Sequence, residues 1–102
     1  MAARPFEVRW DAEGVVWLSG ELDMASVDLF SDRVIANVRG PQAVLDLSDL
    51  TFVDSSGIRA ILRLAQACGQ GVVLRNVPDN VRNVLAISGI DETMGVRIDP
   101  VT

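Results

Sequence analysis

The sequence predicts an α/β protein: a small mixed β-sheet with helices packed against it, in the order β-β-α-β-α-β-α-β. Three observations predict it. Short apolar or alternating runs, the pattern of strands, recur at residues 6–10, 15–20, 43–47, 72–74 and 96–98. Between the later runs lie segments whose apolar residues return every three or four positions, which is helical spacing. Strands that alternate with helices need crossover connections, and these set parallel strands side by side.

Taken in order, Phe6-Glu7-Val8-Arg9-Trp10 alternates apolar and polar, as a half-buried strand does. Asp11-Ala12-Glu13-Gly14 reads as a turn and Val15-Val16-Trp17-Leu18-Ser19-Gly20 as a second strand, so the two form a hairpin. Gly20-Glu21-Leu22-Asp23 ends that strand in a polar loop. Over residues 25–39, Val27, Phe30, Val34 and Val38 mark one face of a helix, with Ser26 or Asp23 as its N-cap and Gly40-Pro41 as its stop. Residues 43–47 are apolar except for Asp46 and predict a central strand, the acid sitting where a strand side faces solvent. A short loop then leads to Asp54-Ser55-Ser56-Gly57. Beyond it Ile58, Ile61, Leu62, Ala65 and Cys68 stripe a second helix, with Arg59, Arg63, Gln66 and Gln70 on the opposite face. Gly69-Gln70-Gly71 ends this helix, and Val72-Val73-Leu74 is a short buried strand. Val77-Pro78-Asp79-Asn80 starts a third helix, which carries Val81, Val84, Leu85 and Ser88 on one side and Gly89 just past its end. Val96-Arg97-Ile98 adds an edge strand.

Composition bounds the function. At 102 residues, 49% of them hydrophobic, the whole chain (1–102) is expected to form one domain around one modest, mostly aliphatic core. A net charge of −5 with nine scattered arginines argues against nucleic acid and against anionic membrane surfaces. The chain has no His, which excludes Ser-His-Asp catalysis, a His phosphorelay and His metal ligation. It has no Lys, which excludes a Walker A lysine and a Schiff base. Cys68 is alone, so it forms no internal disulfide; this fits a reducing compartment, and its place on the apolar stripe predicts a buried thiol. Nothing resembles a signal peptide and no apolar run approaches the ~18 residues of a membrane span, so a cytoplasmic protein is expected.

The most informative stretch is Asp54-Ser55-Ser56-Gly57, at a strand-to-helix junction. One reading is capping: Asp54 or Ser55 satisfies free N–H groups of the first helical turn, and Gly57 permits a tight turn into the helix. Capping does not require two consecutive serines, and no Glu or Gln three residues on completes a capping box. The other reading is a serine that is phosphorylated. A helix N-terminus tolerates added negative charge, so the fold survives while the surface gains roughly −1.5 to −2 charges at one point. Asp54, and Asp23 if its loop lies alongside, would repel the phosphate. A partner covering this spot would be lost.

The chain resembles the STAS-domain anti-sigma factor antagonists over residues 6 to 98. The anchors are Leu45-Asp46-Leu47 followed by Phe52-Val53-Asp54-Ser55-Ser56-Gly57-Ile58, with Gly20-Glu21-Leu22-Asp23 before the first helix and Asn76-Val77-Pro78 through Val81-Arg82 to Ile87-Ser88-Gly89-Ile90 after the second. The resemblance implies a STAS-like fold and partner switching. In that scheme the unphosphorylated protein binds an anti-sigma factor with serine/threonine kinase activity and frees a sigma factor. Phosphorylation of Ser55 ends binding, and a metal-dependent serine phosphatase acting on the phosphorylated form restores it. The partner-binding set it implies is Asp23, Asp54, Ser55, Ser56 and Gly57. Arg59 joins as a departure, because many members carry a small residue there. An exposed arginine one turn from the site suits a partner carboxylate or a phosphate on Ser55, and also suits a plainly solvated helix face.

Two other classes compete. A STAS module could bind a nucleotide, a lipid or another signalling protein without a phospho-switch. An enzyme with Ser55 as nucleophile would have to rely on Asp54 or Asp23 as base, and a carboxylate alone is a poor base for a serine near neutral pH. The acids Asp23, Asp46, Asp49 and Asp54 are assigned to turns, caps and a solvent-facing strand rather than to a metal. No cofactor, metal or catalytic residue is expected, and the free protein is expected to be a monomer.

Overall fold

The computed structural model describes residues 5–90 and 92–99. Five strands lie in one sheet in the order β1-β2-β3-β4-β5: β1 (Glu7–Trp10), β2 (Val16–Leu22), β3 (Ala43–Val53), β4 (Val72–Arg75) and β5 (Val96–Ile98). Only β1 runs antiparallel, pairing with β2 across the expected hairpin; β2 to β5 are parallel neighbours. Helices α1 (Val27–Arg33), α2 (Ser55–Ala67) and α3 (Asp79–Ile87) make the three crossovers, so the predicted α/β order β-β-α-β-α-β-α-β holds. Short 3-10 turns at Ile35–Asn37 and Glu92–Met94 follow α1 and α3.

The core is aliphatic. Val16, Leu18 and Leu22 of β2, Leu45, Leu47, Leu50 and Val53 of β3, and Val72 and Leu74 of β4 pack with Phe30 and Val34 from the α1 segment, Ile58, Ile61 and Leu64 of α2, and Val81 and Leu85 of α3. Leu64 belongs to this core although the sequence stripe left it out, whereas Leu62 is only partly buried. Cys68 is buried as expected, and burial pushes its thiol pKa up.

Three element bounds need correction. The first helix is half the length predicted, because its last carbonyls are taken from outside the helical ladder. Asn37 Nδ2 donates to Asp32 O (2.9 Å) and Arg33 O (3.2 Å), and Trp10 Nε1 donates to Arg33 O (3.3 Å). The second strand does not end in a polar loop at Gly20 but continues to a fully buried Leu22. The predicted loop after Leu47 is also strand, and β3 is 11 residues long.

The reason for the last error lies in the register of β3. Along β2 the pairing advances from Trp17 to Ser19 while β3 advances from Asp46 to Asp49, and again from Gly20 to Glu21 against Leu50 to Phe52. Each irregularity adds one residue to β3, so Leu47, Leu50 and Val53 all reach the core at intervals of three. Thr51 Oγ1 pins the second irregularity by donating to Gly20 O (3.0 Å).

Asp46 pins the first. The expectation that it faces solvent is wrong: it is fully buried (0% exposed). Its Oδ1 accepts from Ser48 N (3.0 Å) and Ser48 Oγ (2.7 Å), its Oδ2 accepts from Asn76 Nδ2 (2.7 Å), and Arg75 lies 4.0 Å away. Asn76 follows β4 with a φ of +54°, a left-handed conformation that asparagine tolerates better than most residues. The expected turn role of Asp49 is likewise not found, since it is an exposed strand residue.

α3 ends as predicted. Gly89 takes a φ of +72°, its N–H donates to Ala86 O (3.1 Å), and Ile90 N–H reaches Leu85 O (3.2 Å), which is a Schellman motif. Ser88, expected on the inner side of α3, is exposed at its cap.

The hairpin turn carries a testable titration. Asp11 accepts from Trp17 Nε1 (2.9 Å), Glu13 N (2.9 Å) and Val15 N (3.0 Å), and the Trp17 bond foremost holds its pKa below the ordinary 3.8. A depressed carboxylate stabilises the fold above its unfolded pKa, and that contribution is lost as pH falls through the folded value. In a Trp10→Phe background the remaining indole fluorescence should therefore titrate with a midpoint below 3.8. A midpoint at or above that value would mean that the Asp11–Trp17 bond does not form.

Candidate functional site

The site is built where β2 and β3 end side by side. Leu22 pairs with Val53 at the last register position, and Asp54 N donates to Leu22 O (3.3 Å). The residues that follow each strand, Asp23 and Asp54, are therefore neighbours at one rim of the sheet, as paired strands run about 4.8 Å apart. The conditional expectation that the Asp23 loop lies alongside is met by this register.

Each side of the rim is fixed by its own hydrogen bonds. Asp23 Oδ1 accepts from Ala25 N (3.0 Å), and Asp23 O accepts from Ser26 N and Val27 N (both 3.0 Å). Ser26 occupies the N-cap position of α1, but its hydroxyl does not cap the helix. It is buried, accepts from Asp23 N (3.0 Å) and donates to Glu21 O (2.8 Å), so it ties the loop down rather than the helix. On the other side Asp54 is the N-cap of α2: its Oδ1 accepts from Ser56 N (2.8 Å) and Gly57 N (3.1 Å).

That geometry separates the two serines from the capping task. Ser55 is the first residue of α2, is exposed, and its hydroxyl makes no hydrogen bond to a described residue. Ser56 is half-buried, and its hydroxyl is likewise unbonded among the described residues. Gly57 does not belong to the exposed patch. It is buried, and a Cβ there would stand 2.5 Å from Leu22 O and 2.6 Å from Val53 Cγ2. Its role is to let the first turn of α2 press against the ends of β2 and β3. Arg59 is exposed one turn beyond Ser55 and lines a shallow groove with Ser56, Arg63 and Val27.

Sequence reasoning missed two residues at this rim. Met24, in the loop after β2, is 77% exposed, and Phe52, beside Glu21 in the register, is 45% exposed. Large apolar side chains held in water next to an unbonded serine suit a protein contact better than a small-molecule pocket. The exposure of Phe52 follows from the register irregularity between Gly20 and Glu21, which the local sequence does not signal.

Among the described residues no group of three or more His, Cys, Asp or Glu is placed to hold a metal ion. No helix among them is long and apolar enough to cross a membrane. The family model described as "Mlab, STAS domain" matches residues 6–98. The chain belongs to the STAS-domain family. Solved structures with the same fold include the anti-sigma factor antagonist SpoIIAA in its unphosphorylated form, at 22% identity and a TM-score of 0.68 over 94% of this chain and 89% of that one. An anti-sigma factor antagonist from Mycobacterium paratuberculosis matches at 26% identity and a TM-score of 0.70, over 91% and 84% of the two chains. An anti-sigma-factor antagonist (STAS) domain protein from Planctomyces limnophilus matches at 20% identity and a TM-score of 0.68, over 95% and 90%. No curated protein matches the chain. The STAS fold of this chain is thus the one that anti-sigma factor antagonists use.

Proposed function

We propose that this STAS domain is an anti-sigma factor antagonist that acts by partner switching in the cytoplasm. Its unmodified form binds an anti-sigma factor that is also a serine/threonine kinase, and binding frees a sigma factor. The kinase brings ATP and Mg²⁺; the γ-phosphoryl group passes to Ser55 Oγ, the hydroxyl proton is released and ADP leaves. The new dianion ends the complex until a serine phosphatase removes it. The domain itself catalyses nothing and needs no cofactor.

One observation carries this reading: Asp54 does the capping of α2, which leaves the Ser55 hydroxyl exposed at the head of the helix and unbonded among the described residues. A serine with no structural duty is free to be a substrate. The exposed Met24 and Phe52 supply contact area at this end of the sheet, while Asp23 and Asp54 set like charge at the rim where a phosphate would be added to Ser55. Partner contact is assigned to Asp23, Asp54, Ser55, Ser56 and Arg59, with Gly57 shaping the turn beneath them.

The test uses Ser55→Ala and Ser55→Asp as paired baits in native lysate with ADP present. Both variants should fold like the parent, because the Ser55 side chain holds nothing together. A protein with kinase activity should be retained by the Ala bait and lost from the Asp bait, with affinity reduced at least about tenfold, since like charge in an interface costs several kcal/mol. Equal retention of the same proteins by both baits would move the domain to an unswitched role, binding a nucleotide, lipid or other signalling protein.

A further inference from the structure

Two arginines of α2 have no acidic partner among the described residues. Arg59 and Arg63 stand four residues apart on the exposed side of the helix, and neither forms an ion pair or hydrogen bond with a described residue. Like charges at that spacing repel each other and disfavour the helix. With Ser56 and Val27 they line an open groove of about 140 Å³. Its walls therefore offer two guanidinium groups and one unbonded hydroxyl, in a chain whose net charge is −5.

Ser55 precedes Arg59 by four residues, so the two side chains share a helix face with Cβ atoms about 5–6 Å apart. Two of the backbone donors at the head of α2 are already engaged, because Ser56 N and Gly57 N both serve Asp54. With those two donors occupied, the full counter-charge for a phosphate on Ser55 comes from side chains. We propose that the groove is an anion site that receives this phosphate, with Arg59 as its main ligand, Arg63 as a second charge and Ser56 as a neutral donor. The planar guanidinium fork suits two oxygens of a phosphomonoester at once.

The inference rests on Ser55 being the modified residue, and it adds what the modification does to the surface. Phosphorylation then changes two things together: it adds a dianion, and it draws Arg59 out of the contact surface presented by the unmodified protein. The ion pair also offsets repulsion from Asp23, Asp54 and Asp28, the acids of the neighbouring loop, cap and first turn of α1.

Phosphoserine placed at position 55 during translation tests the site without any kinase. The second ionisation of the phosphate is followed by ³¹P NMR in the native chain, in Arg59→Gln, and in Arg97→Gln, which removes the same charge from distant β5. The midpoint should be lowest in the native chain and rise by about half a pH unit in Arg59→Gln, a solvent-screened fraction of the 1–3 units an arginine shifts a close carboxylate. Arg97→Gln should leave it within about 0.1 unit, because exposed charges beyond a Debye length of about 10 Å are screened. Equal midpoints in the native and Arg59→Gln chains, or an equal rise in Arg97→Gln, would overturn the anion site. Because no kinase takes part, such a result leaves partner switching to be judged by the paired baits alone.

Discussion

Asp46→Ala is expected to lower the stability of the fold by about 3 kcal/mol. The residue is fully buried and accepts three hydrogen bonds, from Ser48 N, Ser48 Oγ and Asn76 Nδ2. A hydrogen bond to a charged group contributes about 1.5–3 kcal/mol. Ser48 and Asn76 are exposed and regain water when the carboxylate goes, so the loss stays below the sum. At about 4–8 °C per kcal/mol for a domain of this size, Tm should fall by about 12–24 °C. Arg75→Ala separates the hydrogen bonds from the ion pair. Its side chain is 39% exposed and its guanidinium is 4.0 Å from the carboxylate, so its removal should cost under about 1 kcal/mol. An Arg75→Ala loss as large as that of Asp46→Ala would mean that charge pairing, not the hydrogen-bonded register of β3, is what Asp46 provides.

Asp46 also marks the limit of what the sequence makes legible. The element order, the hairpin, the edge strand at Val96–Ile98 and the glycine stop of α3 follow from periodicity and turn chemistry, and all are present. The stretch from Ser48 to Val53 does not read as a strand, because the residues that reach the core, Leu47, Leu50 and Val53, fall at intervals of three instead of two. Only the pairing with β2 shows why: two extra residues in β3 reset the alternation, and those depend on hydrogen bonds that Asp46 accepts and Thr51 donates, with partners distant in sequence or off the ladder. A lone acid in an apolar run is ambiguous for the same reason. Nothing in the local sequence tells that Asn76, 30 residues later, will satisfy it. The site divides in the same way. Asp54 as cap and Ser55 beside it are legible from the junction itself, whereas the burial of Gly57 and the exposure of Met24 and Phe52 come from the packing of two strand ends.

The position of Ser55 itself depends on that packing, and Gly57→Ala should expose the dependence. A Cβ at residue 57 would lie 2.5 Å from the Leu22 carbonyl oxygen, 2.6 Å from Val53 Cγ2 and 3.0 Å from Leu22 Cγ. The nearest of these is backbone held in the β2–β3 pairing, so it cannot rotate away; α2 must lift from the sheet instead. Overpacking of this kind costs about 1–3 kcal/mol, and the upper half of that range is expected because the clash meets main chain. Lifting the first turn also pulls Ser56 N and Gly57 N away from Asp54 Oδ1, so the cap weakens together with the packing. Gly69→Ala is the matched control: it sits just beyond the same helix with nothing within 4 Å of its added Cβ, and should change stability by no more than about 0.5 kcal/mol. Thermal unfolding measures both, and amide chemical shifts at residues 54 to 57 measure the displacement of the site. If Gly57→Ala melts with the parent and leaves those shifts in place, the head of α2 has slack that the packing does not reveal. If it melts lower and moves them, the small residue after the two serines is there to hold the serine in position rather than to be touched by a partner.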